Sequence, residues 1–303
     1  MSENLPHIRV HARNGYLLIR DGLSINFYMR HPHKDVARFV MRSLEIYLRA
    51  VGHQAISLYA NQEGDWQLLD DSSWKEIHHK LFERDCGFIH LRDASNGELR
   101  YQFDYYGKPL DAESLEEDPE EICAVSFWLP TEYLEEHGPS RVRELALELA
   151  APLPFCSGHA GLSFIGEIDV STVLPPVDEL CFRHPGFDIP DIDRLSWTLG
   201  TRVRGAYWLT FLGQPVLGEL GGAPGLRSRL AVPGTTVQEL EGERVVVTLG
   251  KAPEAGDAEQ GQFLPAYREL ARILEPWFYT RMPIRSIDFP PEAIRRWERR
   301  FLD

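Results

Sequence analysis

A chain of 303 residues, 43% hydrophobic and 26% charged, is long enough to bury a sizeable core and has an ordinary globular composition. Its formal net charge of −14 argues against direct partnership with nucleic acid or an anionic membrane, since phosphate contacts need Lys/Arg clusters, and favours a basic partner. No apolar run approaches the roughly 18 residues of a membrane span, and the start MSENLPHIRVHARNG has no basic stretch followed by an apolar one, so a cytoplasmic location is expected.

Along the chain, Leu17-Leu18-Ile19 and Ser24 to Met29 read as paired strands turning at Asp21-Gly22. His33 to Ala50 reads as an amphipathic helix, with Val36, Phe39, Val40, Leu44, Tyr47 and Leu48 at three- and four-residue spacing and Gly52 ending it. Strands are expected at Ile56 to Tyr59 and Trp66 to Leu69 around the turn 61–64, then a helix capped by Ser72 or Ser73 and running to about Arg84. Strands at Phe88 to Leu91 and Leu99 to Tyr105 flank a turn at Ser95-Asn96-Gly97.

Beyond the acidic stretch 107–121 come a strand at Ile122 to Leu129, a Thr131-capped helical turn interrupted at Gly138-Pro139, and helix again to about Ala150. Gly161 to Ile168 and Ala206 to Leu212 read as strands, the latter strongly apolar. Short helical segments follow at 174–186, 191–195, 215–220 and 225–230. A hairpin turning at Glu241-Gly242-Glu243 and helices at 263–274 and 291–301 complete the chain. The order predicts an α+β protein with a mixed, largely antiparallel sheet flanked by helices. The strand–helix–strand order after residue 122 echoes residues 24–59, as two pseudo-repeated α/β halves would. Residues 1–303 read as a single domain, or as two lobes of about 1–106 and 122–303 joined by the acidic segment 107–121.

Catalytic and metal-binding patterns are sparse. Cys156…His159 and Cys181…His184 have ligand types that would close a tetrahedral zinc site; the alternative is that they, like Cys86 and Cys123, are reduced thiols that mostly pack in the core. Gly161-Leu162-Ser163-Phe164-Ile165-Gly166 is one residue too long for a nucleophile elbow and reads as a strand. His31-Pro32-His33 and His78-His79 lack acidic or cysteine partners at ligand spacing. Asp188, Asp191 and Asp193 lack the glycine and terminal glutamate of a calcium loop, and Asp191 reads instead as the cap of a short helix. Gly218 to Gly225 lacks the Lys-Ser/Thr of a phosphate loop. No catalytic residue, metal ligand or cofactor site is assigned.

A different pattern lies in Tyr207-Trp208-Leu209-Thr210-Phe211-Leu212-Gly213, Leu220-Gly221-Gly222, Gly250…Pro253…Gly256-Asp257 and Pro265-x-Tyr267-Arg268. In their order and spacing these resemble the type VI secretion immunity family, most specifically between about Leu195 and Leu274. The resemblance implies a cytoplasmic binding protein that neutralises a cognate effector toxin, with a nuclease of basic surface as the expected partner, by occluding its active site. It implies no catalytic residues. An acidic inhibitor would complement such a surface and speed the encounter.

The expected interface joins Asp104, Tyr105 and Tyr106 to Glu116, Glu117, Asp118, Glu120 and Glu121, aromatic anchors inside a charged rim. The alternative is that the tyrosines finish a strand and pack inward while the acidic run is merely solvated. A second surface, Asp65, Trp66, Asp70, Asp71 and Trp74, also sets aromatics among acids. Two other functional classes stay open: an enzyme using Ser163 or a metal at the Cys/His pairs, and an adaptor of the secretion apparatus. Nothing in the sequence bears on self-association.

Overall fold

The computed structural model describes residues 5–93, 98–168, 174–280 and 291–302. The first part of the chain forms β1 (Arg9–His11), β2 (Leu17–Met29), α1 (His33–Val51), β3 (Leu58–Ala60), β4 (Trp66–Leu68), α2 (Asp71–Phe82), β5 (Gly87–Arg92) and β6 (Gln102–Gly107). The acidic stretch contains a short helix, α3 (Ala112–Glu117), and leads into β7 (Cys123–Pro130), α4 (Thr131–Ala150) and β8 (Ser157–Gly166). Then come α5 (Leu174–Arg183), α6 (Ile192–Thr198), β9 (Leu209–Leu212), α7 (Val216–Glu219) and α8 (Gly222–Arg227). The hairpin β10 (Thr235–Leu240) and β11 (Arg244–Leu249) precedes α9 (Pro265–Leu274) and α10 (Pro291–Glu298).

Among the described residues all strands join one 11-stranded antiparallel sheet in the order β10-β11-β9-β8-β2-β7-β6-β5-β3-β4, with β1 on the start of β2. The α+β class read from the sequence is the class observed. β2 lies between β7 and β8, so a strand from before the acidic stretch is paired on both sides with strands from after it. α1 and α4 pack on each other and against β2 and β7. Their apolar stripes, including Val36, Val40, Leu44, Leu145 and Leu149, meet Leu23, Ile25, Phe27, Val125 and Phe127 in the main core. Side chains of a strand alternate between faces. Tyr28 and Ala124 accordingly join a separate cluster with Ile192, Leu195 and Leu199 of α6.

The expected turn at Asp21-Gly22 is absent, and β2 runs straight through it. An Asp-Gly pair signals a hairpin turn only when nothing else holds it. Here a Cβ on Gly22 would lie 2.8 Å from the Leu129 carbonyl and as close to Ile165, so the glycine permits close packing between neighbouring strands. The Asp21 carboxylate accepts from the Ile8 amide at 2.8 Å and from Arg9 and the Thr131 hydroxyl. Thr131 therefore does not cap its helix, as expected from the sequence, but ties α4 to β2.

One other local expectation shifts. Asp70, rather than a serine, caps α2, and the Ser73 side chain completes the capping box. Gly138 breaks α4 as expected, with φ 78° ahead of Pro139. The turn expected at 95–97 lies outside the described residues.

Gly107 ends β6 against the buried side chain of His33, which bonds the Tyr105 hydroxyl at 2.8 Å. A Cβ at Gly107 would fall 2.6 Å from that hydroxyl and collide with the imidazole. Gly107→Ala is expected to cost about 1–3 kcal/mol, the usual range for overpacking a filled site. Urea denaturation measures it; a change within error would mean the two side chains can move aside.

Candidate functional site: an acidic rim and a buried polar row

The acidic stretch is held at one end of the sheet. Glu116, Glu117, Asp118 and Glu120 are exposed. The Gly200 amide donates to the Glu120 carbonyl at 2.9 Å, and the Ile122 amide donates to the Ser196 carbonyl at 2.8 Å, which fastens the segment to α6. Glu121 turns inward and pairs with Lys108 at 3.5 Å, both nearly buried. Burial lowers the Lys108 ammonium to about 8, against the opposing pull of Glu121. Its Nζ lies 2.6 Å from the ring centroid of Trp197, a cation–π contact, and Trp197 itself is 43% exposed.

The residues expected to form the interface thus divide. Tyr105 points into the core, where burial drives its hydroxyl well above the usual tyrosine range. Asp104 and Glu121 are buried, while Tyr106 is half-buried on the face opposite Tyr105, with its ring against Phe88 and His90. Alternation along β6 made this division inevitable, since neighbours in a strand cannot share a face. The exposed aromatic beside the carboxylates is Trp197, 76 positions beyond the nearest of them that pairs with its lysine, Glu121. At the alternative surface, Asp70 is spent on capping α2, and the Arg92 guanidinium stacks on Trp66 at 3.9 Å.

The sheet face bearing Asp104 carries a second feature. Cross-strand partners share a face. The register places His90 opposite Asp104, Asp104 opposite Ser126, Ser126 opposite Asn26, Asn26 opposite His159 and His159 opposite Thr210. One polar row therefore crosses six strands. His90 Nδ1 lies 2.9 Å from Asp104, and Asn26 Nδ2 lies 3.0 Å from His159 Nε2.

Against His159 of this row lies Asp188, whose backbone bridges to Ser163, farther along β8. It accepts from the Tyr207 hydroxyl at 2.7 Å and from His159 Nε2 at 3.1 Å. The His159 ring stacks on Tyr207 with centroids 4.1 Å apart. Burial holds His159 below its ordinary value despite the nearby carboxylate, so it stays neutral at pH 7. Burial alone would raise Asp188; the His159 hydrogen bond and the charges of Arg204 and Arg300 outweigh it and hold the group below the usual carboxylate range. The neutral Nε2–H donates to the Asp188 carboxylate, and the Asn26 amide, which donates to the Ser24 hydroxyl at 3.1 Å, lies against the same ring nitrogen.

Neither pattern entertained as catalytic comes together. The Ser163 hydroxyl donates to the Phe164 and Asp188 carbonyls, not to His159. Cys156 Sγ donates to the Tyr28 carbonyl and Cys181 Sγ to the Asp178 carbonyl, while His184 Nδ1 is taken by the Gly256 carbonyl. Burial raises the two thiols to about 11 and about 12, so they hold their protons. The two Cys/His pairs sit in different apolar clusters, and among the described residues no group of three or more His, Cys, Asp or Glu is arranged to hold a metal. Among those residues no helix is long and apolar enough to cross a membrane.

The family model for TsiV, type VI immunity for VRR-NUC, matches residues 39–301. The chain belongs to this family. It is a type VI immunity protein whose partner is a nuclease effector of the VRR-NUC kind, in agreement with the resemblance carried by residues 195–274. Among solved structures it is similar to the Pseudomonas aeruginosa T6SS protein PA0821, at 19% identity and a TM-score of 0.81, over 98% of this chain and 88% of that one. At that identity the likeness shows a shared fold. No curated protein matches the chain. Within the immunity protein, the acidic rim and all of the polar row except Asn26 fall inside the family match.

Proposed function

We propose that the protein neutralises its effector stoichiometrically, without turnover, by covering the nuclease's basic substrate-binding surface with the acidic rim around Trp197. The observation that carries this reading is the rim itself: four exposed carboxylates within residues 116–120, with the one cation of the stretch, Lys108, buried beneath an exposed tryptophan. A nuclease must present positive charge to phosphates, and a carboxylate array complements that field. The same negative charge disfavours direct contact with nucleic acid. Since the effector's substrate lies inside the cell, the cytoplasm is the location this mechanism requires. The pairing of β2 with both β7 and β8 supports residues 1–303 acting as one domain.

Co-expression tests the reading. The effector encoded beside this gene is induced in a bacterial host with and without the protein, and the complex is purified and its stoichiometry measured. Restored growth with a one-to-one complex that no longer cleaves DNA is the expected result. Restored growth with a complex that still cleaves DNA would overturn active-site occlusion.

A further inference from the structure

The register aligns one end of the sheet: Met29 pairs with Cys123, Tyr28 with Ser157, Ser157 with Leu212, and Leu212 with Val245. The loops leaving these strands line an open cavity of about 330 Å³. Arg30, His31 and Arg244 line it with Phe39, Phe155 and Gln214. In a chain with 46 acidic residues, none of its described lining residues is Asp or Glu.

Both guanidiniums are oriented and incompletely used. Arg30 donates from Nη1 to the Glu121 carbonyl at 2.7 Å. Arg244 donates from Nε to the Glu241 carbonyl at 2.7 Å and from Nη1 to the Leu153 carbonyl, and it stacks on Phe155 at 4.7 Å. A guanidinium has five N–H donors in a fixed fork, so each keeps donors in reserve. Neither has a carboxylate within ion-pair distance among the described residues. Burial lowers the Arg244 pKa, against the opposing charge of Glu241.

We propose that this cavity is a receptor for an acidic side chain of the effector, with the apolar neighbour of that residue against Phe39 and Phe155. The inference rests on the functional reading above and deepens it. The choice of occupant follows from continuity: the residue whose carbonyl holds Arg30 is Glu121, the last of the acidic stretch, so cavity and rim form one surface of alternating charge. The rim faces a basic patch and governs the encounter; the cavity takes an anchor of opposite sign and governs release. A surface with both signs also rejects nucleases that match only one.

Gln214→Glu is the discriminating variant. Gln214 is exposed and nearly isosteric with the replacement, which puts a carboxylate in the cavity and exchanges the amide's hydrogen bond to Glu243 at 3.4 Å for a repulsion at an exposed site; an unchanged melting temperature of the free variant checks that folding is preserved. Dissociation of the purified complex is expected to speed up 10- to 100-fold with association changed less than about threefold, the pattern of a lost buried charge pair. Arg244→Lys, which keeps the charge and loses the fork, is expected to speed dissociation as well. Dissociation at the wild-type rate in both variants overturns the proposal. So does a cavity filled by a small anion, seen as pyrophosphate raising the melting temperature of the wild type but not of Gln214→Glu while the complexes dissociate alike. A rim variant, Glu116→Lys with Glu120→Lys, is measured alongside: if its association is unchanged the rim reading fails, whereas the cavity is judged on dissociation alone.

Discussion

Asp188→Ala is expected to destabilise the protein by about 3–5 kcal/mol, the cost of breaking a buried charged network by removing one partner. The carboxylate is the shared acceptor of the Tyr207 hydroxyl and His159, and it balances Arg204 and Arg300. Its loss strands two donors and leaves buried positive charge uncompensated. His159 already has one ring nitrogen, Nδ1, buried without a partner, so little slack remains for rearrangement. Denaturant unfolding of the variant measures the effect, and a loss below about 1 kcal/mol would mean that the row is not one coupled unit. Asp188→Asn should cost less, because a tautomer shift lets His159 Nε2 accept from the new amide.

The buried histidines predict acid sensitivity. His159 and His33 both have folded-state pKa values lowered by burial. Above the unfolded histidine value of about 6.5 neither state binds the proton, and stability is full. Below it the unfolded chain takes up protons that the folded chain refuses, so stability falls as pH drops from about 6.5 toward the depressed values. Asp188 adds a second window with its own sign: its folded pKa is depressed, so its contribution persists above about 3.9 and is lost as pH falls through the lower folded value. Melting temperatures measured from pH 8 to pH 4 should be flat down to about 6.5 and then decline; a flat profile through pH 5 would show that these histidines protonate freely in the folded state.

What the sequence disclosed, and what it hid, follows from the range of the interactions. α1 was legible to within a residue because its apolar stripe is local and Gly52 closes it. The β10–β11 hairpin was legible through its glycine turn. Asp21-Gly22 misled because its partners, Ile8, Thr131, Leu129 and Ile165, lie as far as 143 positions away in the chain. The polar row was hidden for the same reason. His159, Ser163 and Asp188 each drew notice singly, the first as a zinc ligand and the second as a nucleophile. Only register shows that Asn26 stands between Ser126 and His159, and register is a property of paired strands. One local signal was available: Ser24 and Asn26, Gln102 and Asp104, and Ser157 and His159 repeat polar residues at period two within otherwise apolar strands. The acidic rim was visible as composition, but its aromatic partner Trp197 was not, since it reaches Lys108 through the fold.

Reversing the rim, Glu116→Lys, Glu117→Lys and Glu120→Lys together, is expected to slow association with the effector by one to three orders of magnitude and to abolish protection in the growth assay. The three side chains are exposed and enter no ion pair or side-chain hydrogen bond among the described residues, so unfolding should change little beyond the usual surface range of about 0.5 kcal/mol. Salt supplies the internal control. Exposed charges steer through a field that 0.15 M salt screens beyond about 8 Å, so wild-type association should slow steeply as salt rises, while the reversed protein should respond weakly or in the opposite sense. Trp197→Ala separates the second role of the rim. Removing the ring uncovers Lys108, whose charge then competes with the carboxylates beside it, and deletes an exposed aromatic at the rim. Aromatic anchors act on the lifetime of a complex more than on its encounter, so this variant should release the effector faster while associating nearly normally. Unchanged association and unchanged salt dependence in the triple reversal would remove the rim from the interface, whatever Trp197→Ala does to the lifetime.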